Sequence, residues 1–117
     1  MNDTIILYRP TGPNELALVE QSGFRRWPPR LPDQPIFYPV TNEAYAVEIA
    51  SRWNTKAGGV GYVTRFAVRR TFMERYAIQT VGAAYHTEWW VPADELEALN
   101  DSIVGVIEVI GEYHRPA

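Results

Sequence analysis

The sequence predicts an α+β fold of mainly antiparallel strands with two or three short helices, folded as one domain over residues 1–117. Three observations predict it. Short β-branched and aromatic runs outnumber the helical patterns. Two helical patterns interrupt them early, and the later runs follow at the spacing of antiparallel pairs, without the regular strand–helix alternation of a doubly wound parallel sheet. A hydrophobic fraction of 46% over 117 residues suits a single globular core.

Each element has a local reason. Thr4 to Arg9 is β-branched and aromatic, and the strand is expected to stop at Pro10. A helix opens with Pro13 in its first turn, where a missing N–H costs nothing, shows Leu16, Val19 and Leu18 as apolar positions, and ends at Gly23. Four prolines between residues 24 and 35 forbid a ladder and predict a stiff, semi-extended loop. Ile36 to Val40 reads as a strand that Pro39 confines to an edge or a strand end. Thr41 or Asn42 caps a second helix to about Trp53, in which Tyr45, Ile49 and Trp53 recur every fourth residue and share a face; Lys56 to Gly59 breaks the chain. Val60 to Val68 alternates as a strand with Tyr62, Thr64 and Phe66 on one side. Phe72 to Tyr76 forms a helical turn, and Ala77–Val81 and Tyr85–Val91 form two strands joined at Gly82. Pro92, Asp94, Glu95 and Glu97 mark a short helix to Leu99, and Ile103 to Ile110 is a last, mostly buried strand.

Composition closes several routes. Without cysteine there is no disulfide, zinc knuckle or thiol nucleophile, which suits a reducing cytoplasm. The N-terminal run lacks a signal peptide's basic start, and no segment is apolar for long enough to span a bilayer. A net charge of −3 argues against general nucleic-acid binding. Arg25, Arg26 and Arg30 cluster around Trp27, either as a solvated loop or as a clamp for phosphate or carboxylate. There is no Gly-rich phosphate fingerprint and no serine elbow, and His86 and His114 lie too far apart for a local metal motif.

The remaining chemistry lies in three segments. Arg9 closes the first strand, Tyr38 lies in the second with Tyr45 on the helix after it, and Glu88 stands between hydrophobic neighbours in His-Thr-Glu-Trp-Trp-Val-Pro. A carboxylate there is costly to bury without partners. Strand alternation offers the alternative that Glu88 faces solvent while Trp89 faces the core; likewise Arg9 can be a surface ion pair and Tyr38 and Tyr45 ordinary core residues.

At these residues the sequence resembles the ADP-ribosyltransferase superfamily, in which an arginine or histidine ends the first strand, an aromatic or hydroxyl motif opens a later strand before a helix, and a glutamate lies on a late strand. Arg9, Tyr38 and Glu88 match in that order. Over nearly its whole length the chain also resembles short bacterial proteins labelled "ADP-ribosylation/crystallin J1", through Leu-Tyr-Arg-Pro-Thr-Gly-Pro, Pro-Pro-Arg-Leu-Pro, Gln-Pro-Ile-Phe-Tyr-Pro-Val and Gly-Tyr-Val-Thr-Arg-Phe. The glycohydrolases under that label are larger, helical and metal-dependent, so the transferase side fits this short, strand-rich chain. The resemblance implies a split β-sandwich and an NAD cleft. It implies Glu88 as the catalytic carboxylate, with Trp89 or Trp90 excluding water, and Arg9, Tyr38, Tyr45 and Trp89 as NAD-binding residues, without a metal. The implied reaction transfers ADP-ribose to a protein or other acceptor, or to water. Pro39 replaces a small hydroxyl residue of many transferases, and His86 stands where many carry the Glu or Gln that activates an acceptor, which leaves the acceptor open. A non-catalytic binding module on the same fold, or a purely structural domain, are the competing readings.

Overall fold

The computed structural model describes residues 3–115. Met1 and Asn2, the start of the N-terminal run read above, lie outside the described residues. Strand β1 (Thr4–Thr11) leads through Gly12 into helix α1 (Pro13–Gln21). Gly23, at φ 77°, ends that helix, and the Gly23 and Phe24 amides donate back to the Glu20 and Val19 carbonyls. The Pro-rich segment is fastened by Trp27, whose backbone N–H donates to Asn100 Oδ1 at 2.8 Å while Asn100 Nδ2 donates to the Trp27 carbonyl at 2.9 Å. Strand β2 (Ile36–Phe37) precedes α2 (Glu43–Ile49), capped by Asn42, whose Oδ1 accepts from the Tyr45 amide.

Helix α2 continues through a π-helical turn (Ala50–Asn54) into α3 (Thr55–Gly58), and Gly59 at φ 82° stops it. The helical run therefore passes the end expected at about Trp53, and the break falls at Gly59, the last residue of the expected Lys56–Gly59 segment. A π turn takes more residues per revolution than an α turn, so Trp53 falls out of line with Tyr45 and Ile49 and is 61% exposed, with Lys56 over its ring. Then come β3 (Val60–Arg69), the single turn α4 (Arg70–Met73), β4 (Ile78–Thr80), β5 (Thr87–Trp89), β6 (Val91–Pro92), a 3₁₀ turn (Ala93–Glu95), α5 (Leu96–Asp101) and β7 (Ile103–His114). Taking α2 through α3 as one, four helical segments stand among the described residues; they exceed the two or three short helices expected only by the single turn α4, which overlaps the helical turn expected at Phe72–Tyr76.

Strand β3 is the centre of the main sheet. It pairs antiparallel with β1 in an unbroken register, and with β7 across two register shifts. Gly105, at φ 83°, sits in the second shift. The expectation that the last strand is mostly buried is corrected here: Ile107 is its one buried residue, and Val104, Val106 and Val109 are exposed. The strand lies at the sheet edge, covered by β3 along one side only.

Two prolines shape the other edge. Residues 36–41 run antiparallel to 87–92 in one constant register, from Ile36↔Pro92 through Phe37↔Val91 to Val40↔Glu88, which sets Tyr38 across from Trp90. Pro39 removes one donor from that ladder, so the strand breaks up, yet Trp89 N–H still reaches the Pro39 carbonyl. Val40 also exchanges two hydrogen bonds with Tyr8 of β1, at 2.7 and 3.0 Å. The next partners in that register are Pro10 and Tyr38. Pro10 has no N–H to give, so pairing on this side stops. Pro10 and Thr11 nevertheless stay paired to β3, which corrects the expectation that the strand ends at Pro10: only the donor facing away from β3 is lost.

The sheet buries two clusters. One holds Leu7, Trp27, Phe37, Phe66, Val68, Trp89, Val91 and Leu96. The other holds Val40, Tyr45, Ala46, Ala50 and Val63 under α2 and the π turn. The turn lies so close to β3 that a Cβ on Gly61 would stand 2.1 Å from the Ala50 carbonyl oxygen. No described helix is long and apolar enough to cross a membrane.

Candidate functional site

Where β1 and residues 36–39 part, a pocket of about 350 Å³ opens, lined by Arg9, Pro10, Arg30, Tyr38, Val40, Ile49 and Glu88. Arg9, Tyr38 and Glu88, far apart in the chain, all border it. They arrive by different routes. Glu88 lies on the α2 side of the sheet with Val40, while Arg9 lies on the Trp27 side, and the gap between the strands joins the two sides.

Glu88 is 8% exposed, against the alternation reading that turned it to solvent. Alternation does hold, but the face it selects is itself covered by α2. Tyr45 Oη donates to Glu88 Oε1 at 2.9 Å, and Trp90 Nε1 donates to Oε2 at 2.8 Å. No ion-pair partner of Glu88 is found among the described residues, and the two donors that hold its carboxyl group are both neutral. Burial first, and then the bond to Glu88, pushes the Tyr45 phenol up to about 12, so it remains a donor. The Tyr45 ring stacks on His86 at 4.6 Å. His86 Nδ1 accepts from the Ala83 amide, and Nε2 lies 2.6 Å from Glu48 Oε2, within ion-pair reach but off the line of a hydrogen bond. Tyr85 Oη donates to Glu48 at 2.8 Å; that bond leads the causes holding the Glu48 carboxyl low, and it raises the Tyr85 phenol.

Arg9 is held differently. Its Nε and Nη2 donate to the two oxygens of Glu15 at 2.7 and 3.0 Å, a bidentate pair, and its guanidinium lies 4.3 Å over the Phe37 ring. Nη1 takes the direction Pro10 leaves open, 3.5 Å from the Tyr38 carbonyl. Thr11 Oγ1 also donates to Glu15, and Arg30 Nη1 stands 3.4 Å from it. Burial alone would raise the Glu15 carboxyl; the charge and hydrogen bonds of Arg9, with Thr11 and Arg30, outweigh it and hold the group low. The buried carboxylates thus divide, Glu15 neutralised by arginine and Glu88 not.

Tyr38 is 43% exposed at the pocket mouth and Tyr45 sits behind Glu88. Trp89 does not reach the pocket: it is buried in the Trp27 cluster on the other face, and Trp90 stands beside Glu88 in its place. The three arginines around Trp27 do not form a clamp. Arg26 pairs with Glu97 and Asp101 on α5, and only Arg30 turns to the pocket. Sequence reasoning missed Glu15, whose signal was an acid in the first turn of a helix that begins two residues after β1. No metal-ligand group of three His, Asp or Glu occurs among the described residues. No family model matches the chain, and no curated protein or solved structure is similar to it.

Proposed function

We propose that this chain is an ADP-ribosyltransferase-like domain that binds NAD and transfers its ADP-ribose to an acceptor or to water. The observation that carries the reading is Glu88: a buried carboxylate with no ion-pair partner among the described residues, fixed by two neutral donors at the wall of a concave pocket that Arg9 and Tyr38 also line. Buried charge is expensive, and a site that maintains it has a use for it. In this reading the parting of β1 from residues 36–39 is the split of a transferase-like sandwich, and the pocket volume suits a nicotinamide riboside.

The chemistry follows from the charges. The glycosidic bond between ribose C1′ and the pyridinium nitrogen breaks, and the pair of electrons leaves with nicotinamide, which departs neutral. The ribose ring becomes an oxocarbenium ion. Glu88 stabilises that cation across a short, water-poor distance. An acceptor oxygen or nitrogen, or water, then bonds C1′ and gives its proton to solvent. Tyr38 stacks on nicotinamide, Trp90 shields the carboxylate, Tyr45 fixes its orientation, and Arg9 with Arg30 lends positive charge to the pyrophosphate. A cysteine-free chain suits the cytoplasm for this work.

One observation favours the second reading, a non-catalytic binding module: the Arg9 fork is already occupied by Glu15. Nicotinamide release from NAD, with NAD titration alongside, separates the two. Release that falls at least about a hundredfold in Glu88→Gln supports the enzyme. Binding without release selects the module, and neither binding nor release discards NAD altogether.

A further inference from the structure

Behind the Glu88 pocket, the turn before β5 carries a histidine that the proposed reaction does not use. His86 is not among the residues that line the pocket. It stacks at 30° on Tyr45, the ring whose Oη holds Glu88 Oε1, and the Tyr85 ring lies 4.4 Å from it.

The turn fixes which nitrogen of His86 carries the proton. The His86 backbone N–H donates to the Ala83 carbonyl, and the Ala83 amide donates back to Nδ1 at 3.0 Å. Nδ1 is therefore an acceptor, and the proton of the neutral ring sits on Nε2, beside Glu48 Oε2. Because that contact is off line, the neutral ring keeps one good bond, to Ala83, and one poor one. A second proton reverses the preference. It sets an Nδ1–H against the Ala83 N–H, donor to donor, while the charged ring gains attraction to the Glu48 carboxylate. The other groups around the ring fit this exchange. Arg52 Nη1 stands 3.7 Å from Glu48 Oε1, Tyr85 Oη donates to the same carboxylate, and Tyr45 is a neutral phenol. Gly82 completes the seat: a Cβ there would stand 2.5 Å from Nδ1.

We infer that His86 is a positioning residue for Glu88, which keeps its geometry only while His86 is neutral. The path is short. Protonation breaks the Ala83 bond and draws the ring off the Tyr45 face toward Glu48. The Tyr45 hydroxyl then loses its fixed aim, and Glu88, two residues further along the chain, is left with the Trp90 donor. The inference rests on the reading of Glu88 as the working carboxylate, and adds the control of that site by acid through two arrangements of one ring.

NMR of the full chain tests it without NAD. The Trp90 indole N–H, the Ala83 amide and the His86 ring carbons are followed from about pH 8 to about pH 5, the range in which imidazole takes up a proton. The Trp90 and Ala83 signals move with the His86 ring, at one midpoint. His86→Phe keeps a ring beneath Tyr45 that cannot be protonated, and the step disappears. Gly82→Ala pushes the His86 ring off its seat, so the Trp90 signal at about pH 8 already lies near its acid position. That variant serves if His86→Phe folds poorly. His114→Gln, whose ring stands beside Glu112 on β7, leaves the step in place. Nicotinamide release measured alongside falls about tenfold or more in acid, as the loss of the Tyr45 donor requires. The proposal is overturned if the Trp90 signal does not follow the His86 ring, if the step survives in His86→Phe, or if Gly82→Ala leaves the Trp90 signal unmoved. A coupled step without release at any pH discards the NAD reading and keeps the positioning role; release without a coupled step does the reverse.

Discussion

Replacing Glu15 by Gln removes the charge that Arg9 and Arg30 share. The Arg9 and Glu15 side chains are 11% and 22% exposed, so little solvent screening applies. Stranding a buried arginine after its partner is removed costs about 3 kcal/mol or more. The Gln carbonyl still accepts one guanidinium bond, which recovers about 1 kcal/mol. The net loss is about 2 kcal/mol, or about 8 °C in Tm for a domain of this size. Acid supplies a second, independent check. The folded Glu15 carboxyl sits below its ordinary 4.5, so its stabilisation is fully present above that value and is lost as pH falls through the lower, folded one. Thermal melts at neutral pH and at about pH 3 should therefore show a gap between wild type and variant that narrows in acid. Glu20→Gln, an exposed acid on the same helix, gives the baseline of about 0.5 kcal/mol or less. A Glu15→Gln shift no larger than that baseline, or a gap undiminished in acid, would refute the reasoning.

Two further substitutions probe the site's frame. Tyr45→Phe deletes one of the two donors to Glu88 and is expected to lower nicotinamide release about tenfold or more while NAD binding changes little; equal release in both proteins would remove Tyr45 from the site. Because its folded pKa of about 12 lies above the free phenol's 10, the neutral Tyr45 stabilises fully below pH 10, and that contribution disappears as pH rises past about 12; Tyr45→Phe melts should lose this alkaline step. Gly61→Ala drives a methyl into the Ala50 carbonyl and should cost about 2 kcal/mol or more in urea unfolding. A curve superimposable on the wild type would mean that the π turn yields freely.

Much of the fold was legible because it is local. Proline at the first turn of α1, Asn42 as a cap and alternation along β3 act within a few residues, and each produced the element expected. The misreadings share one cause, which is that neighbours distant in sequence decide them. Whether Pro10 ends a strand depends on which side its missing N–H faces. Whether Ile103–His114 is buried depends on its rank in the sheet order. Trp53 was displaced by a π turn that packs on Gly61, and no spacing rule announces that contact. Among the candidate residues, Arg9 stood out as a charge closing a strand, Glu88 as an acid between hydrophobic neighbours, and Tyr38 as a ring in a short strand just before a helix. Glu15 did not, since an acid in the first turn of a helix is ordinary until the fold brings arginines beside it.

The gap at Pro10 has a consequence for how this chain can change. Its pocket is opened by the absence of a backbone donor, not by any side chain along its walls. Residues lining the space are thus at liberty to vary in charge and size, provided they still pack, while the space itself persists. One imino acid preserves the concavity; everything that decides what enters it can be rewritten around that fixed point.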